Sequence, residues 1–298
     1  MPHTYGTDVC LVRIRHRERP RVRFSCSRLS IAGKAHYGRE AQAMSFAYSE
    51  QNRNEYYTDG LTVLRGLIPA SLLADLRAQA EIARELARSL GGPSAQRLQP
   101  VYKYEELNHQ SFRDFLSLDG LRTTVLNILG PEHTASDIMG ILFEPKENAW
   151  CTHWHRDWGY NVPGIDLDAF FEAAMNQPGM FNQLNGALYD DHCLWVVPGS
   201  HNRLDNDAEQ ARFPRLPPLG PELSETAMPT EREVSCLDYA RSMPGGVCVP
   251  LFAGDVAFYR ACAWHIGSYI PYTRRATLHD GFYGPADRAW QANVPMKK

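Results

Sequence analysis

The chain lacks the marks of several specialised classes. Its seven cysteines (Cys10, Cys26, Cys151, Cys193, Cys236, Cys248 and Cys262) are odd in number, widely spaced and never in a C-x-x-C pair. That excludes a disulfide framework and a zinc knuckle, and fits a reducing compartment. No apolar run approaches the ~18 residues of a membrane span, and the first residues carry no apolar stretch of the secretory kind. The expectation is a cytoplasmic protein without a membrane span. No internal repeat is present, and the formal charge of -3 is too small to suggest a nucleic-acid or membrane-surface binder.

What is present is the balance of a globular chain: 298 residues, 44% hydrophobic and 22% charged, enough for a substantial core. The charge is uneven. Residues 1–43 hold nine Lys/Arg against three acids, a local +6, so the -3 total leaves -9 on residues 44–298. Arginine recurs at every second position from Arg13 to Arg23, and a strand built this way would repel itself. An organelle-targeting peptide and a nucleic-acid or membrane arm are alternatives, but residues 1–43 are foremost expected to be a solvated or non-native arm, with Met44 a candidate start, and 44–298 a single domain. The acidic body argues against a nucleic-acid substrate.

From Tyr57 the pattern is regular. A short strand precedes Ser71, which can cap a helix through Leu72, Leu73, Leu76, Ala80, Ala83 and Leu90 that Gly91-Gly92-Pro93 stops. A second helical stretch runs from Phe112 to Leu129 and ends at Gly130-Pro131. Beyond it, strands are predicted over 138–143, 151–157, 183–188, 193–197, 247–252, 256–259 and 274–282. Short strands at this spacing predict a mainly β sandwich or jelly roll with flanking helices. Two insertions, 164–179 and about 202–229, are long enough to be lids or binding loops.

The densest group of potential ligands is His153-Trp154-His155-Arg156-Asp157. On a strand, alternation puts His153, His155 and Asp157 on one face and Trp154 and Arg156 on the other. His265, after the strand at 256–259, is the best-placed third ligand. Two His and one Asp make a facial triad that leaves coordination positions open, as in non-haem Fe(II) sites that activate O2 beside a chelating co-substrate. An arginine at 274–275 could pair with the far carboxylate of such a co-substrate. H-R-D also occurs in kinases, but Asn161 follows too soon and no G-x-G-x-x-G loop is present.

The ordered motifs D-G-L-T-V-L-R-G-L-I-P (59–69), W-H-R-D (154–157), A-L-Y-D-D (187–191), V-V-P-G-S-H (196–201), G-D-V-A-F-Y (254–259), W-H-I-G-S (264–268) and R-R-A (274–276) resemble the phytanoyl-CoA dioxygenase (PhyH) family of Fe(II)- and 2-oxoglutarate-dependent oxygenases. The likeness spans about residues 57–283. It implies a double-stranded β-helix (jelly roll, cupin-like), with His155, Asp157 and His265 as iron ligands and Arg274 as the 2-oxoglutarate anchor. Asn185 falls at a co-substrate position, and either Gly267 or Ser268 faces the co-substrate. Trp158, Tyr160 and Asn161, with Phe170 and Phe171, are candidates for the substrate wall and lid. The implied activity is hydroxylation of a C–H bond in a small metabolite or lipid-like substrate, consuming O2 and releasing succinate and CO2. Asp157 as ligand leaves halide no position. The alternatives are a catalytically inactive binding or sensor protein on the same scaffold, and a Zn or Mn hydrolase using the same ligands. Substrate identity and oligomeric state are not set by the sequence.

Overall fold

The computed structural model describes residues 46–159, 162–213 and 228–297. The basic arm expected at 1–43, and the candidates Tyr160 and Asn161, lie outside the described residues. Ala43–Lys298 forms one compact unit. It begins with α1 (Glu50–Asp59), β1 (Leu61–Leu64), α2 (Ala70–Gly91), β2 (Arg97–Leu98), α3 (His109–Leu116) and α4 (Asp119–Ile128). β3 (Thr134–Ala135), β4 (Gly140–Phe143), β5 (Trp150–Cys151), α5 (Leu167–Asn176), β6 (Asn182–Ala187) and β7 (Leu194–Val196) follow. The chain continues through α6 (Asp207–Arg212), α7 (Pro229–Arg241), β8 (Val247–Cys248), β9 (Val256–Arg260), β10 (His265–Tyr269), β11 (Ala276–Asp280), β12 (Phe282–Tyr283) and α8 (Pro285–Ala292).

Two antiparallel sheets carry the architecture, one of six strands in the order β1-β9-β6-β11-β4-β2 and one of four in the order β5-β10-β7-β8. The mainly β, helix-flanked jelly roll expected from the sequence is the observed fold. On the six-stranded sheet, Leu64, Ile141, Phe143, Leu184, Phe258, Ala276 and Leu278 pack outward in one core with helix residues such as Leu76, Phe112 and Val125. A second apolar cluster, formed by Ala187, Leu194, Val196, Leu251 and Ala257, joins the two sheets. Strand alternation thus divides the six-stranded sheet into an apolar helix-facing side and an inner side that also carries polar groups.

α2 forms because Leu72, Leu73, Leu76, Ala80, Ala83 and Ala87 recur at helical spacing and are buried, but it starts at Ala70 after Pro69, so Ser71 lies inside it and is not its cap. It ends at Gly92, whose φ of 79° is open to glycine at little steric cost. The second helical stretch is two helices, α3 and α4, parted at Ser117-Leu118. Helices not predicted from the sequence include α1, before β1, and α7 and α8, among the strands beyond residue 130. α1 buries only Asn52 and Tyr56, so it has no apolar stripe to read. α7 and α8 each open with Pro at their first position and an acid at the third, Glu231 and Asp287, start signals that the surrounding strands obscured. The expected strand at 151–157 is regular only at Trp150–Cys151, and beyond it a single bridge links His155 to His265. No described helix is long and apolar enough to cross a membrane.

Candidate metal centre

The bridge between His155 and His265 brings the sequence's two halves together. His155 N–H donates to His265 O at 3.2 Å and His265 N–H donates to His155 O at 3.0 Å, while Asp157 N–H donates to Ala261 O at 2.9 Å. The backbone therefore fixes all three candidate ligands against the start of β10. His155 Nε2 lies 3.4 Å from Asp157 Oδ1, and His265 Nε2 lies 4.0 Å from Asp157 Oδ2. One ligand atom from each falls within 4.8 Å of the others, the one such group among the described residues. Divalent first-row ions bind such atoms at roughly 2.0–2.2 Å, so a slight contraction closes this trio on one ion.

The tautomers fit the same use. His155 Nδ1 is 2.7 Å from His153 O, and His265 Nδ1 is 3.0 Å from Ala263 O. A carbonyl can only accept, so each Nδ1 carries a hydrogen, and each Nε2 is the atom turned to the site, where its lone pair would serve a metal ion in place of a proton. Burial and the neighbouring His155 push His265 down to about 4, keeping it neutral. Burial alone would raise Asp157, but the hydrogen bond with His155 and the charges of His265 and His155 outweigh it and hold the carboxyl well below its ordinary range. Burial would likewise lower His155, yet its hydrogen bond and charge pairing with Asp157 raise it. His153 lies outside the trio.

The opposite face of this segment behaves as alternation predicts. Trp154 is buried, and Arg156 donates to Asp205 Oδ1, Ser200 O and Cys262 O at 2.7–2.8 Å.

The trio opens onto a cavity of about 340 Å³ whose lining includes Arg97, Thr152, Asn185, Gly267, Tyr269, Arg275 and His279. Here the structure reverses the expected arginine phase. Arg274 lies on the outside, its side chain 48% exposed and engaged with Glu81 and Glu144, so it cannot face the cavity. Arg275, 4% exposed, lines it. β11 sends Ala276 and Leu278 to the helix-facing core and Arg275 and His279 to the cavity, so alternation excludes Arg274. Arg275 Nε donates to Asp191 Oδ2 at 3.0 Å, and Asp191 also accepts from Thr277 Oγ1 and from the Cys193 N–H. Burial would lower Arg275, but Asp191 holds it above its ordinary range. The guanidinium lies 4.8 Å from the Tyr269 ring centroid, and its Nη1 is buried without a hydrogen-bond partner. An orphaned guanidinium nitrogen is the feature that a ligand carboxylate would satisfy.

Other candidates are placed as follows. Asn185 lines the cavity and accepts from His279 Nδ1 at 2.9 Å. Of the Gly267–Ser268 pair, Gly267 faces the cavity; Ser268 does not, because alternation turns it away while Gly267 and Tyr269 face in. A Cβ at Gly267 would run into the Tyr269 ring, which explains the small residue there. Trp158 lines a separate smaller cavity at the sheet end, with Phe181, Gln183, His279 and Trp290. Trp158 and Phe181 both hold positive φ, 67° and 55°, a strained geometry for aromatic residues that clusters at functional sites. Phe170 and Phe171 line neither cavity. They are buried in a cluster with Phe181 and Ile165, so they support the wall from behind. Sequence reasoning missed Gln183, Tyr259 and His279, although their inward phase follows from the apolar Leu184, Phe258 and Leu278 beside them.

Asp280, at the end of β11, gives one prediction. Burial pushes it up to about 7 despite hydrogen bonds from Ser136 Oγ and the Gly281 N–H. Its folded pKa exceeds the ordinary 3.8, so its contribution to stability is full below that value and is lost as pH rises through about 7. Urea unfolding from pH 4 to 8 is expected to show this fall, on the order of a few kcal/mol, and Asp280→Asn to flatten it.

Several solved structures share the fold. AviO1 from Streptomyces viridochromogenes Tue57 is 19% identical with a TM-score of 0.53, over 80% of this chain and 95% of its own. EctD from S. alaskensis, solved with 2-oxoglutarate and 5-hydroxyectoine, is 15% identical with a TM-score of 0.53, over 83% and 80%. SnoN, a non-heme alpha ketoglutarate dependent epimerase from nogalamycin biosynthesis, is 19% identical with a TM-score of 0.50, over 83% and 87%. At such identities the likeness is one of fold. No curated protein matches the chain. The Phytanoyl-CoA dioxygenase (PhyH) family, however, matches residues 56–268, a span that holds β1, β4, β6, β7 and β9 and all three clustered ligands. The chain belongs to the phytanoyl-CoA dioxygenase (PhyH) family.

Proposed function

We propose that this protein is an Fe(II)- and 2-oxoglutarate-dependent oxygenase that hydroxylates a C–H bond of a small molecule, with His155, Asp157 and His265 holding the iron. The observation that carries this reading is one cavity with two unlike ends: three metal-ligating side chains at one, and a buried arginine with an unpartnered nitrogen at the other. When bound, the iron supplies O2 activation coupled to decarboxylation of 2-oxoglutarate.

The rest is the work of this chain's own groups. Arg275, clamped edge-on by Asp191, turns its remaining N–H groups to the far carboxylate of 2-oxoglutarate. Tyr269 stacks beneath the guanidinium, and Gly267 leaves backbone space beside it. Asn185 is held by His279 and contributes polarity to the cavity, so its part is to shape the co-substrate pocket. Trp158 lines the neighbouring smaller cavity and, with Tyr160 and Asn161 that follow in the chain, is a candidate for substrate contact.

Some proteins of this fold carry out other conversions: SnoN is an epimerase and SnoK a carbocyclase. Product analysis therefore tests the hydroxylase assignment. With Fe(II), 2-oxoglutarate and a panel of small molecules, succinate formation should be accompanied by labelled oxygen from O2 in the product. Succinate formation with an isomerised or cyclised product free of label would refute hydroxylation while keeping the oxygenase class.

A further inference from the structure

A row of polar side chains crosses the inner face of the six-stranded sheet and ends on the metal-binding carboxylate. His279 Nδ1 lies 2.9 Å from Asn185 Oδ1, and Asn185 sits diagonal to Tyr259 across β6 and β9. Tyr259 Oη donates to Gln183 Oε1 at 2.8 Å, and Gln183 Nε2 donates to Asp157 Oδ2. Two cross-strand pairs build the row: Gln183 faces Tyr259 across β6 and β9, and Asn185 faces His279 across β6 and β11. Directly opposed residues share a face, so their side chains meet.

The chemistry of the ends fixes the direction of every link. The Asp157 carboxylate can only accept, so Gln183 turns its NH2 to it and leaves Oε1 as an acceptor. Tyr259, its phenol held protonated by burial and by the nearby Asp157 charge, supplies the hydrogen. From Tyr259 through Gln183 the hydrogens point toward Asp157 Oδ2, and Asn185 Oδ1 accepts from His279.

We propose that Gln183, held by Tyr259, is a positioning residue that reserves Asp157 Oδ2 for a protein hydrogen bond and leaves Oδ1 to the metal, a role that rests on the metal-site reading above. A carboxylate bound through both oxygens would occupy an extra coordination position. One oxygen plus two imidazoles leaves the open positions that a chelating co-substrate and O2 require. An amide suits the place, since it donates to a carboxylate and accepts from a phenol at once.

The test uses metal affinity rather than turnover. The metal-free full-length protein is titrated with Co(II), without 2-oxoglutarate, and binding is followed by the visible absorption of the bound ion. Gln183→Leu, which keeps the side chain's size, is expected to weaken Co(II) binding roughly 10–100-fold, the usual cost of losing an outer hydrogen-bond partner. Tyr259→Phe should weaken it less. The double variant should bind no more weakly than Gln183→Leu alone, because Tyr259 acts through Gln183. Wild-type affinity in Gln183→Leu, or additive losses in the double variant, would overturn the inference. So would unchanged Co(II) binding with weakened 2-oxoglutarate binding, which would make Gln183 a co-substrate contact. If wild-type protein bound no Co(II), the metal-site reading itself would fall, an outcome distinct from these.

Discussion

Arg275→Leu is expected to raise the KM for 2-oxoglutarate by roughly 30- to 3,000-fold, while Arg274→Leu leaves it within about twofold. The range is the loss of about 2–5 kcal/mol that follows when one partner of a buried charged hydrogen-bond pair is removed, at ~1.4 kcal/mol per tenfold. The contrast follows from placement. Arg275 is 4% exposed in the cavity, whereas the side chain of Arg274 is 48% exposed outside it. The exposed pair of Arg274 with Glu81 contributes at most ~1 kcal/mol to stability.

Arg275→Leu also removes the main counter-charge of buried Asp191, a change of the kind that costs about 3–5 kcal/mol, so its thermal midpoint should fall. Arg275→Lys separates the two effects. It keeps a positive charge for Asp191 and hence much of the stability, but it loses the planar fork that pairs with a carboxylate. Its KM should therefore stay well above wild type. Wild-type KM in Arg275→Lys together with a raised KM in Arg274→Leu would restore the opposite phase.

Asp157→Ala and His265→Ala are each expected to reduce 2-oxoglutarate turnover to background and to abolish stoichiometric iron after anaerobic reconstitution. Each removes one of three ligand atoms that lie within 4.8 Å of one another. Neither change opens the helix-facing core, since both side chains belong to the inner site, so the variants should fold. Metal analysis after aerobic purification is a poor substitute, because affinities along the Irving–Williams series favour other ions over Fe(II). Undiminished succinate formation in either variant would refute the ligand assignment.

How much was legible in the sequence depended on how local the signal was. His155 and Asp157 are two apart, and His265 follows a clear strand, so their convergence could be read from spacing and order. The fold class was equally legible in the alternation of strands such as 183–188 and 256–259. The arginine phase was misread because R-R-A was matched as a motif, and the family match ends at residue 268, before it. The better guide was the strand itself: Ala276 and Leu278 are apolar and pack on the helices, so Arg275, Thr277 and His279 had to share the inner face. α1 escaped because a helix with only Asn52 and Tyr56 buried has no hydrophobic period. The row from His279 to Gln183 is set by cross-strand register, which no single segment encodes.

Whether one cavity binds iron through His155, Asp157 and His265 and 2-oxoglutarate through Arg275 is tested by an anaerobic absorption titration of the full-length protein with Fe(II) and 2-oxoglutarate. The predicted result is a weak visible charge-transfer band that needs both components, saturates at one of each per chain, and disappears in Asp157→Ala. Absence of the band in wild-type protein, or its persistence in Asp157→Ala, would contradict the account.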